Sequence, residues 1–268
     1  MDERSRMLNE EGRSLWDQKA EFWDGLQGEQ GNRFHRELIG PAVERLLALQ
    51  PGERVLDIAC GSGVLARRLA ELGGMVTAVD FSAGLIERAR QRGQPSGSPI
   101  QYAVVDATDE AALVALGAGQ FPAVVCSMAL MDMPVIAPLY RAVRRLLSPG
   151  GRFVFATSHP AFNSNNPMFL SEMEDHDGVL TVRHSLKISA YRDLPPHRGA
   201  GAVGEPAPHY YYHRPLSQLL GEAFAAGLVL DALEEPGFPP EAEPRPLTWA
   251  SVWQMPPVLA GRLRVVRS

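Results

Sequence analysis

One stretch of ten residues constrains the fold of this 268-residue chain more than any other: RVLDIACGSG, residues 54–63. Apolar residues surround the acid Asp57, as in a short strand that is buried on both faces. Small residues follow at once, and apolar residues then return at helical spacing. A buried strand that runs through a glycine loop into a helix predicts an α/β fold, with the loop at the carboxyl edge of a parallel sheet.

The same strand-then-helix alternation continues through the first 157 residues. Apolar runs predict further strands in MVTAVD, IQYAVVD, FPAVVCS and RFVFAT, with helical spacing between them. Because these strands are apolar on both faces, helices must cover both sides of the sheet. We therefore predict a Rossmann-like three-layer α/β sandwich, preceded by an N-terminal helical segment.

Composition limits the partners and the compartment. A formal net charge of -5 without a visible basic patch argues against nucleic acid as a partner. The two cysteines lie in unrelated contexts, which disfavours a disulfide framework and predicts a reducing, cytoplasmic location. No apolar leader and no run of 18 apolar residues is visible, so we expect neither a signal peptide nor a membrane span. Lys19 and Lys187 are the only lysines among 26 basic residues, a bias typical of a GC-rich, bacterial gene.

Three acids end three consecutive predicted strands, where ligands bind in such sheets. We expect Asp57 to bond loop amides or, through water, a ligand's ammonium group. Asp80 is placed to accept both hydroxyls of a ribose, and Asp106 to accept from an adenine amino group. Gly61 and Gly63 allow backbone N–H groups to approach the ligand without side chains in the way.

These motifs resemble those of the class I S-adenosylmethionine-dependent methyltransferases. The acid and glycine loop match the family's first motif, with Ala59 where the family usually has its first glycine. The segments VTAVDFS, VVDATD, VVCSMALMDM and LLSPGGRFVFA match the later motifs. The resemblance implies a seven-stranded, mostly parallel sheet with an antiparallel last strand. It also adds four residues to the cofactor site: Phe81, Ala107, Ser127 and Met128.

The resemblance implies that S-adenosylmethionine donates a methyl group to an O, N or C atom of a small-molecule acceptor and leaves as S-adenosylhomocysteine. Two alternatives stay open. One is an NAD-dependent oxidoreductase, because Gly61, Gly63 and Ala66 fit G-x-G-x-x-[G/A] with Asp80 about 20 residues further on. The other is an S-adenosylmethionine-binding protein that transfers no methyl group. Asp57 and Asp106 argue against the oxidoreductase.

Residues 160–212 are too many for a simple connection, since loops beyond about 15 residues usually carry function or their own structure. We predict an inserted substrate lid there. A helical cap over residues 1–50 would form the second wall, and residues 51–159 and 213–268 the cofactor-binding domain. The alternative is an insertion that packs on the surface or forms a dimer contact, so the chain is expected to be a monomer or a homodimer.

The acceptor is expected between the lid and the cap. The predicted substrate-binding residues are Trp23, Phe34, Met131, Tyr211 and Tyr212. Positioning can supply much of the rate enhancement of a transfer reaction, and a general base can add to it. The candidate bases follow the fourth and fifth strands or flank the tyrosines: Asp132, His159 and His213, with His209 nearby. The acidic run at residues 174–178 predicts a solvated turn, and no metal site is expected.

Overall fold

A computed structural model describes residues 1–93, 99–240 and 247–265. Residues 94–98, 241–246 and 266–268 of the predicted cofactor-binding domain lie outside this description. The α-helices are α1 (Glu3–Gln18), α2 (Ala20–Gln27), α3 (Gly40–Leu47), α4 (Val64–Glu71), α5 (Ala83–Gln91), α6 (Glu110–Val114), α7 (Ala137–Leu146) and α8 (Leu216–Ala225). A π-helical turn covers His35–Ile39, and a 3-10 turn covers Leu130–Asp132.

The strands form one large sheet and two small ribbons. They are β1 (Arg54–Ile58), β2 (Met75–Asp80), β3 (Gln101–Val104), β4 (Phe121–Ser127), β5 (Leu147–Ser158), β6 (Met168–His176), β7 (Val179–Lys187), β8 (His197–Gly199), β9 (His209–Tyr211), β10 (Leu228–Glu234) and β11 (Val258–Val265). The large sheet has seven strands in the order β10-β11-β5-β4-β1-β2-β3. Strands β1 to β5 pair in parallel, and β11 is antiparallel to both of its neighbours. The predicted sheet is confirmed.

The direction in which strands are added reverses between β1 and β4. From β1 the chain builds outward through β2 and β3, then returns to place β4 on the other side of β1. Such a reversal leaves a crevice beyond the carboxyl ends of the two central strands, because the flanking loops diverge there. The predicted site residues lie at this edge.

Strand β1 shows why the sheet has helices on both faces. Leu56 and Ile58 are fully buried in one apolar cluster with Tyr140 of α7. Val55 points the other way, into a second cluster with Leu69 of α4. Burial of such side chains contributes about 1.5–3 kcal/mol each, so the alternating apolar residues hold both helical layers on the sheet.

The N-terminal segment packs beside the carboxyl edge of the sheet rather than forming one continuous helix. Helices α1 and α2 are separated at Lys19, whose backbone leaves helical geometry at φ -106° and ψ 9°. Asp17 accepts from Ser82 Oγ at 2.6 Å and from the Gly84 N–H at 3.0 Å. These bonds join the end of α1 to the start of α5, where Ser82 is the N-cap residue.

The insertion between β5 and α8 forms two antiparallel ribbons. Strands β6 and β7 pair along their whole length in a largely exposed hairpin. Strands β8 and β9 form a shorter ribbon that contacts α1. The two ribbons therefore have different surroundings, and only parts of the insertion reach the crevice.

Candidate active site

A cavity of about 640 Å³ lies at the carboxyl edge of β1, β2 and β4. Its floor is the loop after β1 together with the ends of β2 and β4. Its walls come from the N-terminal helices, the residues just after β5 and the β8–β9 ribbon. The size and position are typical of a small-molecule site.

The glycine loop uses its small residues in two different ways. Gly61 (φ 56°) lines the cavity, and a Cβ atom added there would meet no atom of the described residues within 4 Å. Gly63 (φ 78°) does not line the cavity, and an added Cβ would lie 2.6 Å from Tyr102 Oη. The prediction that Gly63 faces the cofactor is wrong: it allows close packing under the loop. Ala59 lines the cavity with φ 58°, a left-handed conformation that glycine adopts more easily.

Asp57 is a buried acid without a hydrogen-bond partner for Oδ2 among the described residues. Its residue exposure is 1%, and burial together with the nearby Asp80 raises its pKa well above the usual value. The loop amide that was expected to bond Asp57 donates to Asp80 instead. An unpaired buried carboxylate at the cavity wall is costly unless a ligand supplies a donor or a positive charge.

Asp80 ends β2 and links two backbone segments at the cavity. Its Oδ2 accepts from the Gly61 N–H and its Oδ1 from the Ser82 N–H, both at 2.9 Å. Burial raises the pKa of Asp80 to about 6, and these two hydrogen bonds oppose the rise. Each carboxylate oxygen keeps a lone pair, so two further donors can be accepted.

Asp106 lines the cavity but is already well bonded. Its Oδ1 accepts from the N–H and the hydroxyl of Thr108, both at 2.7 Å. Its Oδ2 accepts from Asn9 Nδ2 of α1 at 2.6 Å, a partner that the sequence did not suggest. An adenine amino group would have to share this carboxylate. The remaining residues implied for the cofactor also line the cavity: Phe81, Ala107, Ser127 and Met128.

Aromatic side chains line the part of the cavity expected to hold the acceptor. Four of the predicted substrate-binding residues are found there: Trp23, Phe34, Met131 and Tyr211. Tyr212 is not, because it directly follows Tyr211 at the end of β9, and successive side chains of extended backbone point to opposite sides. It is buried at 8% exposure, and its N–H donates to the Met131 carbonyl at 2.7 Å. Trp16, which belongs to the helical cap predicted as the second wall, also lines the cavity, and Trp249 lines it without having been predicted.

Two of the three predicted bases lie outside the cavity. His159 bonds Glu235 through Nε2 at 2.8 Å and accepts the Ala161 N–H at Nδ1. His213 is held between Ser164 Oγ at 2.8 Å and the Tyr191 carbonyl at 2.5 Å. With both ring nitrogens occupied, each histidine joins segments of the fold, and we withdraw both as candidate bases.

The third predicted base, Asp132, does line the cavity and belongs to a buried polar cluster. His209 Nε2 lies 3.5 Å from Asp132 Oδ1, and His209 Nδ1 contacts both Lys19 and Glu205. Lys19 and Glu205 form an ion pair at 2.6 Å with both side chains fully buried. We call these four residues the Lys19–Asp132 cluster.

Sequence reasoning named Asp132 and His209 as candidate bases but missed the ion pair beside them. Lys19 was noted as one of two lysines and Glu205 not at all, because they are 186 positions apart and no periodicity joins them. The one available signal was the polar Lys19 within an apolar helical stripe. A charged residue on such a stripe is either exposed or paired, and here it is paired.

Neither a metal-binding group nor a membrane-spanning helix is found in the described part of the chain. Over residues 1–93, 99–240 and 247–265, no group of three or more His, Cys, Asp or Glu side chains is placed to hold a metal ion. Within those same ranges, no helix combines the length and apolar character that crossing a membrane requires.

Residues 55–151 match the family described as a methyltransferase domain. The chain is 40% identical over 106 residues to a ubiquinone biosynthesis O-methyltransferase of Xanthomonas oryzae pv. oryzae. That match covers 40% of this chain and 43% of the relative. A ubiquinone biosynthesis O-methyltransferase of Xanthomonas axonopodis pv. citri is 40% identical over 110 residues, covering 41% of this chain and 45% of that protein. The chain thus spans less than half the length of the curated relatives it matches.

Solved structures match over most of the chain. An S-adenosylmethionine-dependent methyltransferase from Mesorhizobium loti has 27% identity and a TM-score of 0.62, covering 84% of this chain and 96% of that one. A glycopeptide N-methyltransferase complexed with S-adenosylmethionine has the same fold, with 19% identity, a TM-score of 0.52 and coverage of 84% and 93%. Residues 55–151 are therefore a methyltransferase domain, and the sheet around them has the fold of the S-adenosylmethionine-dependent methyltransferases.

Proposed function

We propose that the chain binds S-adenosylmethionine in the cavity and transfers its methyl group to a small-molecule acceptor. The observation that carries the proposal is Asp57, a buried carboxylate with an unpartnered oxygen beside a glycine loop at the sheet's switch point. An ammonium group is the ligand feature that such an oxygen favours, directly or through water. S-adenosylmethionine carries one on its amino-acid end.

The other predicted cofactor residues fit the same ligand. Asp80 has lone pairs free for two ribose hydroxyls, and Phe81 offers a ring edge or face to the adenine. The open space beside Gly61 lets a ligand approach the loop backbone. When bound, S-adenosylmethionine supplies an electrophilic methyl group on a sulfonium. The aromatic wall would exclude water from it and hold the acceptor in line.

The acceptor is proposed to be a small molecule with an apolar, planar part, because Trp16, Trp23, Phe34 and Tyr211 face the cavity. Support comes from the O-methyltransferases of ubiquinone biosynthesis that match part of this chain. A second candidate, binding without methyl transfer, has the same cofactor residues. The bacterial source, the cytoplasmic location, the oligomeric state and the 160–212 lid stay predictions.

The test uses S-adenosylmethionine with a deuterated methyl group and two acceptor panels, phenols including catechol and primary amines. We expect mass spectrometry to find labelled product and S-adenosylhomocysteine in equal amounts for members of one panel. Failure to bind S-adenosylhomocysteine would overturn the proposal. Micromolar binding without product from either panel would favour the binding-only alternative.

A further inference from the structure

The Lys19–Asp132 cluster is an unusual arrangement because it buries a full ion pair next to a histidine and a second acid. Lys19 and Glu205 are inaccessible to solvent. Glu205 also accepts from Trp23 Nε1 at 3.0 Å and from the Gly201 N–H at 2.5 Å. Burial raises the pKa of Glu205, but the bonds from Lys19, Trp23 and Gly201 outweigh it and leave the pKa below its usual range. Glu205 is therefore ionised. Burial lowers the pKa of Lys19, and the hydrogen bond and charge of Glu205 oppose that shift, so Lys19 is the counter-ion of Glu205.

A charged lysine determines where the proton of His209 sits. An ammonium group can only donate, so the contact between Lys19 Nζ and His209 Nδ1 requires Nδ1 to be the acceptor. Burial, and after it the positive charge of Lys19, lowers the pKa of His209 to about 4. The ring is therefore neutral at neutral pH, and its single proton lies on Nε2.

The Nε2–H group points toward Asp132. The Nε2 to Oδ1 distance is 3.5 Å, which is within ion-pair range and longer than an ordinary hydrogen bond. Two tilted aromatic contacts hold the ring in place, since its centroid lies 4.9 Å from that of Trp16 and 4.4 Å from that of Tyr211. Oδ1 is covered and has no hydrogen-bond partner within the described part of the chain. This leaves Oδ2 as the oxygen through which Asp132 would meet a ligand.

We propose that Lys19 fixes His209 as a neutral Nε2–H donor toward Asp132, and that ionised Asp132 accepts the proton of the methyl acceptor. The inference rests on the proposed function. The acceptor group is then an X–H group, a hydroxyl or an ammonium. For a hydroxyl, the oxygen–methyl bond forms as the sulfur–carbon bond breaks, the electron pair of that bond stays on sulfur, and the O–H proton passes to Asp132. An ammonium first gives a proton to Asp132, and the free electron pair of the resulting amine then forms the bond to the methyl carbon as the sulfur–carbon bond breaks. Asp132 is the catalytic residue in this scheme, and Lys19 and His209 are positioning residues.

The charges around Asp132 support this division of roles. Burial raises the pKa of Asp132 well above its usual value, Lys19 lowers it, and the charges of Glu205 and Asp80 raise it. His209 and Tyr211 face it as neutral groups at neutral pH. A buried carboxylate with a raised pKa accepts a proton more readily than an exposed one. Lys19 is the positive charge that opposes protonation of Asp132, so removing it must raise that pKa further.

The experiment reads the tautomer and the carboxyl pKa without needing the acceptor. Nitrogen-15 NMR of histidine-labelled protein, free and saturated with S-adenosylhomocysteine, uses His209→Gln for assignment. We expect the Nε2–H tautomer from pH 6 to 8. Lys19→Met should convert it to the Nδ1–H tautomer, because Nδ1 can then donate to Glu205, 3.1 Å away. Lys187→Met, at the other lysine and on the exposed hairpin, is the matched control and should change nothing.

Carbon-13 NMR of the aspartate carboxyls, assigned with Asp132→Asn, gives the second readout. Lys19→Met should raise the pKa of Asp132 by about one unit or more, and His209→Leu should raise it too. His209→Gln keeps an N–H donor at the Nε2 position and should restore most of the effect. A purely structural role for Lys19 or His209 would move neither readout in a variant that stays folded.

If Lys19→Met does not fold, Lys19→Arg replaces it in the experiment. Because arginine is also a cation that can only donate, this variant must preserve the Nε2–H tautomer. An Nδ1–H tautomer in the wild-type protein, or an Asp132 pKa unaffected by His209→Leu, would overturn the inference. Loss of wild-type S-adenosylhomocysteine binding would instead overturn the proposed function, while the tautomer could still be read in the free protein.

Discussion

At the residue scale, three acids line one cavity and differ in their hydrogen bonding. Asp80 accepts hydrogen bonds from two backbone N–H groups, and Asp106 is bonded on both oxygens. Asp57 has one oxygen with no partner among the described residues. Their positions at strand ends could be predicted from the sequence, because buried strands end where polar residues begin. Their bonding could not, since it depends on Asn9 and Ser82, which come from other elements.

The pKa of Asp80 leads to a prediction about cofactor binding. Ribose hydroxyls bond the ionised carboxylate more strongly, so affinity for S-adenosylhomocysteine should fall as the pH is lowered through about 6. Asp80→Asn should weaken binding at pH 8 by roughly 1.5–3 kcal/mol and by much less at pH 5. Calorimetry at both pH values measures this, with the exposed Asp193→Asn as control. Equal losses at both pH values would contradict it.

Ala59 gives a prediction about stability. Its φ of 58° is left-handed, and this conformation costs an L-residue about 1–2 kcal/mol. Glycine has no such strain but loses more conformational entropy on folding, which costs about 0.5–1 kcal/mol. Ala59→Gly should therefore raise the free energy of unfolding by about 0.5–1 kcal/mol in urea denaturation. Ala111→Gly, in helix α6, should lower it by about 1 kcal/mol. A loss of stability in both variants would show that Ala59 is not strained.

At the element scale, the loop after β1 combines a binding role and a packing role within three residues. We expect Gly61→Ala to weaken S-adenosylhomocysteine binding at least tenfold, because its methyl group would enter open cavity space, while unfolding changes by only about 1 kcal/mol. Gly63→Ala should act mainly on stability, because its Cβ would clash with Tyr102. Calorimetry and urea denaturation of both variants separate the two roles. A loss of binding mainly in Gly63→Ala, with a loss of stability mainly in Gly61→Ala, would contradict these roles.

Tyr211, the last residue of β9, and Tyr212, which follows it, also differ in role, because only Tyr211 lines the cavity. Tyr212→Ala should lower the free energy of unfolding by about 3–5 kcal/mol, since the ring is buried away from the cavity. Tyr211→Ala should cost less, because one side of that ring faces the cavity. Neither should change S-adenosylhomocysteine affinity by more than about 1 kcal/mol. A stability loss for Tyr211→Ala equal to that of Tyr212→Ala would place Tyr211 in the core.

At the scale of the whole molecule, sequence patterns predicted the sheet and most of the apolar residues that line the cavity, but not the hydrogen-bond partners of its polar residues. Apolar runs such as β1 and β4 determine strands directly, and their order follows from the family resemblance. His159 and His213 were chosen for their position after a strand or beside tyrosines, but their bonds to Glu235 and Tyr191 decide their role. The Lys19–Asp132 cluster joins the N-terminal helices, the turn after β4 and the insertion. No local sequence pattern predicts that these three segments come into contact.

The central claim is that this cavity binds the methyl donor rather than a dinucleotide. Isothermal titration of the wild-type protein with S-adenosylhomocysteine and, separately, with NADH tests it most directly. The account predicts one S-adenosylhomocysteine site per chain in the micromolar range and no heat from NADH. NADH binding at one site per chain, with no binding of S-adenosylhomocysteine, would contradict it.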